Sequence, residues 1–267
     1  SKLAGRWTPG ELFWIIRHGL KYTGMPGWPV PARDDEVWAV VAVVLRLPEI
    51  DAETYTRLAL ASYVNAAGPE DRVLAGFLEG DPIACIRCHG TPRAGGSSGG
   101  VPKLAGQRPE YLEMTLRDYE FGTRPSGIMH PVAIYLTKDD RQQLARYFAS
   151  LATPEPAVRP SAAVAALSDG TAARTGGMLA AFGAPVRGIP ACSACHGENG
   201  RAEGMDARFP ALAGQHFGYL VNQLELWRAG IRGGTFDKLM SAAARYLTDE
   251  DITAVAAYYS SLGRNSN

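Results

Sequence analysis

Two five-residue strings, Cys85-Ile86-Arg87-Cys88-His89 and Cys192-Ser193-Ala194-Cys195-His196, each set two thiols three positions apart and an imidazole directly after them. Cysteines at that spacing can each form a thioether to one of the two vinyl groups of a single porphyrin. The imidazole that follows then lies under the iron as its proximal ligand. All four cysteines of the chain fall in these strings, so none is left for a structural disulfide. Zinc knuckles would stand about 15 to 20 residues apart, whereas about a hundred residues separate these two, and zinc leaves the paired histidines unexplained. A thioredoxin-like dithiol explains one Cys-x-x-Cys but not a duplicated His. The expected cofactors are therefore two covalent haem c groups, attached at Cys85, Cys88, Cys192 and Cys195, with His89 and His196 on iron.

A thioether on the far side of the iron stabilises the ferrous state and raises the potential, which suits cycling of single electrons. Met129 and Met240 are the expected sixth ligands. Each follows a glycine-containing loop and precedes the last helix of a sequence repeat. His130 adjoins Met129 and is a competent rival that would lower the potential, so the choice between Met129 and His130 stays open. A lone methionine more often fills core space, which is the reading for Met25, Met114, Met178 and Met205. His216 stands where the repeat has Arg108 and reads as a surface or haem-edge residue. Lys103, Arg108 and Arg124 read either as solvated charges or as partners of haem propionates.

These residues sit in two copies of one unit. The second Cys-x-x-Cys-His lies 107 positions after the first, and Pro102-Lys103-Leu104-Ala105-Gly106-Gln107 matches Pro210-Ala211-Leu212-Ala213-Gly214-Gln215 at offset 108. Tyr111-Leu112 and Gly122-Thr123-Arg124 match Tyr219-Leu220 and Gly230-Ile231-Arg232 at the same offset. Met129, Leu136 to Asp140 and Tyr147-Phe148 match Met240, Leu247 to Asp251 and Tyr258-Tyr259 at offset 111. Thr137 and Thr248 are N-cap residues with acidic residues in the turn that follows, then apolar positions at helical spacing. Tyr111 to Phe121 and Phe217 to Trp227 predict a second helix in each unit, ended by Gly122 and Gly230. A third helix is expected at about Arg72 to Leu78 and at Ala172 to Phe182. Thr91 to Gly100 reads as loop and Ala152 to Pro160 as a proline-stiffened linker. Strand signals are almost absent, so the expected fold class is all-α, with tandem haem domains at 51–152 and 164–267 joined by a linker at 153–163.

Composition adds exclusions. With 27 basic and 27 acidic residues among 267, nothing supports nucleic-acid binding or a polybasic membrane anchor. The longest apolar run, Val37 to Leu45, is far shorter than the roughly 20 residues of a membrane span. No export signal is visible at Ser1, so a signal or upstream segment is expected to be absent from this sequence.

Residues 1–50 hold no Cys-x-x-Cys-His yet track the second half of the unit. Gly19 lies 211 positions before Gly230, Asp34 to Ala42 follow Asp249 to Ala257 at offset 215, and Thr23 to Trp28 place Met25 where an axial ligand would stand. The favoured explanation is the tail of a third haem domain in a longer triheme chain; the alternative is a degenerate cap.

Cys192-x-x-Cys195-His196-Gly197, the Pro-x-Leu-Ala-Gly-Gln segment, Tyr219-Leu220-x-x-Gln223-Leu224, Met240 and Thr248-Asp249-Glu250-Asp251-Ile252 resemble the diheme cytochrome c4 group of class I c-type cytochromes. The amino end resembles the tail of class I domains in triheme cytochromes, including cytochrome subunits of membrane-bound dehydrogenases. The resemblance implies all-α domains whose haems approach across a pseudo-twofold interface, and a periplasmic carrier, or subunit of a larger complex, passing single electrons between a redox-protein donor and acceptor. A membrane-bound oxidase or dehydrogenase is among the implied partners. Periplasmic placement also follows from thioether formation, which needs an export-side assembly system. The rival function is a diheme enzyme of peroxidase or thiosulfate-dehydrogenase type with one open iron; a Met at one matched position in both units weighs against it.

Overall fold

The computed structural model describes residues 6–60, 82–90, 99–151 and 171–262. Among them there is no β-strand, only an isolated bridge between Ala184 and Ile189. The amino-terminal unit is a hairpin of α1 (Pro9–His18) and α2 (Asp34–Arg46), then a 3-10 turn at Leu47–Glu49 and α3 (Ala52–Leu60). The first repeat contributes α4 (Pro82–His89), α5 (Pro109–Glu120), α6 (Met129–Ala133) and α7 (Lys138–Ser150). The second contributes α8 (Thr171–Phe182), α9 (Ser193–His196), α10 (Phe217–Arg228), α11 (Asp237–Ala244) and α12 (Asp249–Ser261). The helices expected at 111–121, 172–182 and 217–227 are therefore present within a residue or two. The helix expected at 72–78, most of the loop at 91–100 and the linker at 152–160 lie outside the described residues.

Local chemistry explains the helix starts. Thr137 and Thr248 each accept a hydrogen bond from the N–H of Asp140 or Asp251, whose carboxylate accepts from the threonine N–H in return. Thr8 and Glu11 build the same box on α1. Such a box satisfies otherwise orphaned donors and contributes about 1 kcal/mol per helix.

In the second repeat, α8 crosses α12 with backbones almost touching. A Cβ on Gly176 would lie 2.0 Å from the Ala254 carbonyl oxygen, and Gly177 faces the Tyr258 ring. That approach explains two glycines inside a helix, where each ordinarily destabilises by up to about 1 kcal/mol. Leu179, Ile189, Trp227, Ile252, Val255 and Tyr259 form the core behind the haem string. The first repeat packs Ile86, Leu112, Leu136, Leu144 and Phe148 in the same way. Matched hydrogen bonds close both: Gly106 N–H donates to the Phe148 carbonyl at 3.0 Å, and Gly214 N–H to the Tyr259 carbonyl at 2.8 Å.

The amino-terminal hairpin has the same shape as the second half of each repeat. Helices α1, α5 and α10 are followed by glycines with φ of 69°, 68° and 68° at Gly19, Gly122 and Gly230. Leu12 and Ile16 of α1 pack on Val37 and Val41 of α2, as α5 packs on α7 and α10 on α12.

Candidate functional site

The Cys-x-x-Cys-His strings form short helical turns, α4 and α9, that end on the histidines. His196 is buried and its Nδ1 lies 2.9 Å from the Pro210 carbonyl oxygen; His89 Nδ1 lies 2.8 Å from that of Pro102. A carbonyl oxygen only accepts, so Nδ1 carries the proton in both rings and Nε2 keeps its lone pair for a metal. Burial pushes both imidazole pKa values down, which favours the neutral form that ligation requires. The prolines belong to the matched Pro-x-Leu-Ala-Gly-Gln segments, so one segment in each repeat orients one histidine. No disulfide joins any two of the four cysteines. Cys192 packs against the core, where burial pushes its thiol up to about 11.

The expected sixth ligands occupy unlike surroundings. Met240 lies half-buried in α11 and packs against the second core. Met129 is the first residue of the five-residue α6, beside His130, whose Nδ1 donates to the Tyr119 carbonyl at 2.7 Å. That bond leaves His130 Nε2 in the form that could ligate. Of the remaining methionines, Met114 is buried, whereas Met178 is exposed and fills no core space.

The two repeats dock through a reciprocal exchange. The Gln107 side chain donates to the Ala211 carbonyl at 2.9 Å and accepts from the Ala211 N–H at 2.8 Å. Gln215 donates to the Lys103 carbonyl at 3.1 Å and accepts from the Lys103 N–H at 2.9 Å. Both glutamines are buried. Since Gln107 matches Gln215 and Lys103 matches Ala211 at one offset, the interface has pseudo-twofold symmetry. Beside it, Arg124 donates to the Tyr219 hydroxyl and to Gln223 Oε1, each at 3.0 Å, and Arg232 reaches Gln223 and the Tyr111 hydroxyl.

Arg124 is buried, stacks 4.7 Å over the Tyr119 ring, and has no carboxylate partner among the described residues. Burial alone would raise the Tyr111 phenol, but Arg124 and Arg232 outweigh it and hold its pKa at about 8. Two guanidiniums facing phenols, an amide and the Trp227 indole make a cluster short of negative charge. Haem propionates fit that need, so the residues present suit the group that the cysteine strings would attach.

A cytochrome c family model matches residues 189–263. The thiosulfate dehydrogenase electron acceptor of Stutzerimonas stutzeri is 35% identical over 208 residues, which cover 78% of this chain and 92% of that protein. Cytochrome c4 of Thiocapsa roseopersicina is 37% identical over 193 residues, covering 69% and 94%. The solved structure of Acidithiobacillus ferrooxidans cytochrome c4 is similar with a TM-score of 0.58 at 33% identity, over 67% of this chain and 98% of that one. The chain belongs to the cytochrome c4-like diheme class I c-type cytochromes. It accordingly carries covalent haem c and acts in electron transfer with other redox proteins. No helix among the described residues is long and apolar enough to cross a membrane.

Within this c4-like frame, two charges have partners other than those entertained from sequence. Lys103 Nζ donates to the Gly214 carbonyl at 2.7 Å, and the Arg108 guanidinium donates to the carbonyls of Ala202 and Met205. Both bridge the repeats. His216 is half-buried at the start of α10, with Nε2 out of solvent, so it is not a simple surface residue. Arg232 was the residue sequence reasoning passed over, although its match to Arg124 in the repeat was the signal that could have found it.

Proposed function

We propose that this c4-like chain is a periplasmic electron-transfer subunit in which His89 with Met129 and His196 with Met240 would hold the irons of two haems. Haem supplies the one-electron ferric/ferrous couple. The chain's own residues fix its setting: Pro102 and Pro210 hold the proximal imidazoles, Arg124 and Arg232 meet propionates, and the packed cores keep water from the iron. The observation that carries the reading is the reciprocal glutamine exchange, which ties the two segments that orient the proximal histidines directly to each other. That tie would hold two bound haems as one rigid pair, the arrangement that passing an electron from one to the other requires. The relatives named thiosulfate dehydrogenase electron acceptor support a dehydrogenase as donor, with a second redox protein, such as a membrane-bound oxidase, as acceptor. The haem units span 51–152 and 164–267, with a linker at 153–163. Residues 1–50 are the second half of a third unit, a reading that the matched glycine turns and helix pairing support.

A redox titration followed in the visible and near-infrared tests this. Two one-electron steps are expected, with both ferric haems low-spin and both contributing the weak near-infrared band of Met-ligated iron. A high-spin signal from one haem would replace this function with that of a diheme enzyme bearing an open iron.

A further inference from the structure

The loop that presents Met129 is held by a side chain from outside its own repeat. Glu36 of α2 is buried, and its carboxylate accepts from the Ser126 hydroxyl at 2.7 Å, the Gly127 N–H at 2.7 Å and the Trp28 indole N–H at 2.9 Å. Ser126 is itself buried, and its Oγ accepts from the N–H of Met129 at 3.1 Å and of Ile128 at 3.3 Å. Two hydrogen bonds therefore connect the Glu36 carboxylate to the Met129 backbone. Arg33 lies 3.1 Å from Glu36 and donates to the Pro125 carbonyl at 2.7 Å, gripping the same loop one residue earlier. The Trp28 ring lies so close that a Cβ on Gly127 would be 2.4 Å from its Nε1. A buried carboxylate is costly unless fully hydrogen-bonded, and bonds to an ionised acceptor are short and geometrically demanding. The loop thus has one favoured position while α2 is docked.

The next junction repeats the device. Asp118 of the first repeat is buried and accepts from the Thr235 N–H at 2.9 Å and the Thr235 hydroxyl at 2.8 Å, five residues before Met240. Each methionine loop is thus held by a buried carboxylate from the unit before it.

We propose that Glu36 is a positioning residue for the sixth ligand of the first haem, so that docking of the amino-terminal unit sets the strength of the Met129–iron bond. This rests on the reading of Met129 as that ligand. Groups that orient a metal ligand through hydrogen bonds change affinity at the metal by roughly 10- to 100-fold when removed. A thioether is a weak ligand, so a loosened loop yields first to an exogenous competitor.

The test uses the full-length holoprotein with imidazole as the competing ligand, read by loss of the near-infrared Met–iron band and by the two haem potentials. Met129→Ala and Met240→Ala assign each signal to its haem. Glu36→Gln and Ser126→Ala are expected to tighten imidazole binding at the first haem by about tenfold and to lower its potential, leaving the second haem unchanged. Unchanged first-haem behaviour in both variants, while Met129→Ala abolishes that haem's band, would make Glu36 a packing residue only and overturn the proposal. A band that survives Met129→Ala instead removes the ligand reading, and the proposal with it. Should Glu36→Gln fail to fold, losing both bands together, Ser126→Ala decides alone, because it cuts the link to Met129 while leaving Glu36 bonded to Gly127.

Discussion

The two methionine loops hold one position in the repeat and are built from different materials. Met240 sits inside an eight-residue helix, packed on a core that contains Trp227 and Tyr259. Met129 opens a five-residue helix, is followed by His130 and Pro131, and depends on Ser126 and on Glu36 of a different unit. A buried carboxylate of the preceding unit holds each loop, but Met240 adds packing on an apolar core, which is non-directional, whereas Met129 is tied in through its own backbone N–H by hydrogen bonds, which fail singly and in known places. A duplicated domain can therefore keep a methionine at one position while changing what supports it.

The largest expected effects come from the attachment cysteines. Cys192→Ala with Cys195→Ala, or Cys85→Ala with Cys88→Ala, should each remove one haem, read as the loss of one haem in intact mass and half the haem absorbance. The second-repeat pair should also lower helicity more, since Cys192 packs on the larger core; equal losses of helicity would erase that difference between the repeats.

Next come the ligands themselves. Met240→Ala should leave a high-spin ferric haem that binds imidazole, because Ser241 stands where the first repeat has His130. Met129→Ala should stay low-spin, with His130 Nε2 taking the iron and the potential falling. Visible and near-infrared spectra of the two variants distinguish these outcomes, and identical spectra would mean that His130 cannot reach.

The smallest effects test the symmetry between the repeats. Gln107→Ala and Gln215→Ala each remove two hydrogen bonds across the same pseudo-twofold axis, and each should lower stability by about 1 to 3 kcal/mol in thermal or denaturant unfolding. Similar losses in both would bear out the symmetry. A much larger loss for one would show that Lys103 and Arg108, which reinforce one side only, have broken it.

Chemistry confined to neighbours in sequence was legible without coordinates. Cys-x-x-Cys-His, the Thr137 and Thr248 boxes and the glycine turns after α5 and α10 all use residues within a few positions of each other. The repeat carried this further, since matching offsets paired Arg124 with Arg232 and Gln107 with Gln215. It could not say what those residues touch. Gln107 meets Ala211, Glu36 meets Ser126 and Asp118 meets Thr235 across intervals of 104, 90 and 117 residues, and nothing in local periodicity encodes such a meeting. Lys103 and Arg108 illustrate the limit: a cation near a haem string suggests a propionate, whereas the fold turns both toward backbone carbonyls of the other repeat.

The glutamine exchange has a consequence for how such a protein can change over generations. Each glutamine binds the main chain of its partner, so the exchange itself makes no demand on the side chain at that partner position. One of these positions is a lysine and the other an alanine, about as unlike as two residues can be, and the contact is the same. Mutation is therefore free to recolour the surface around the junction, charge by charge, and to adapt it to new neighbours without disturbing the spacing of the two haems behind it.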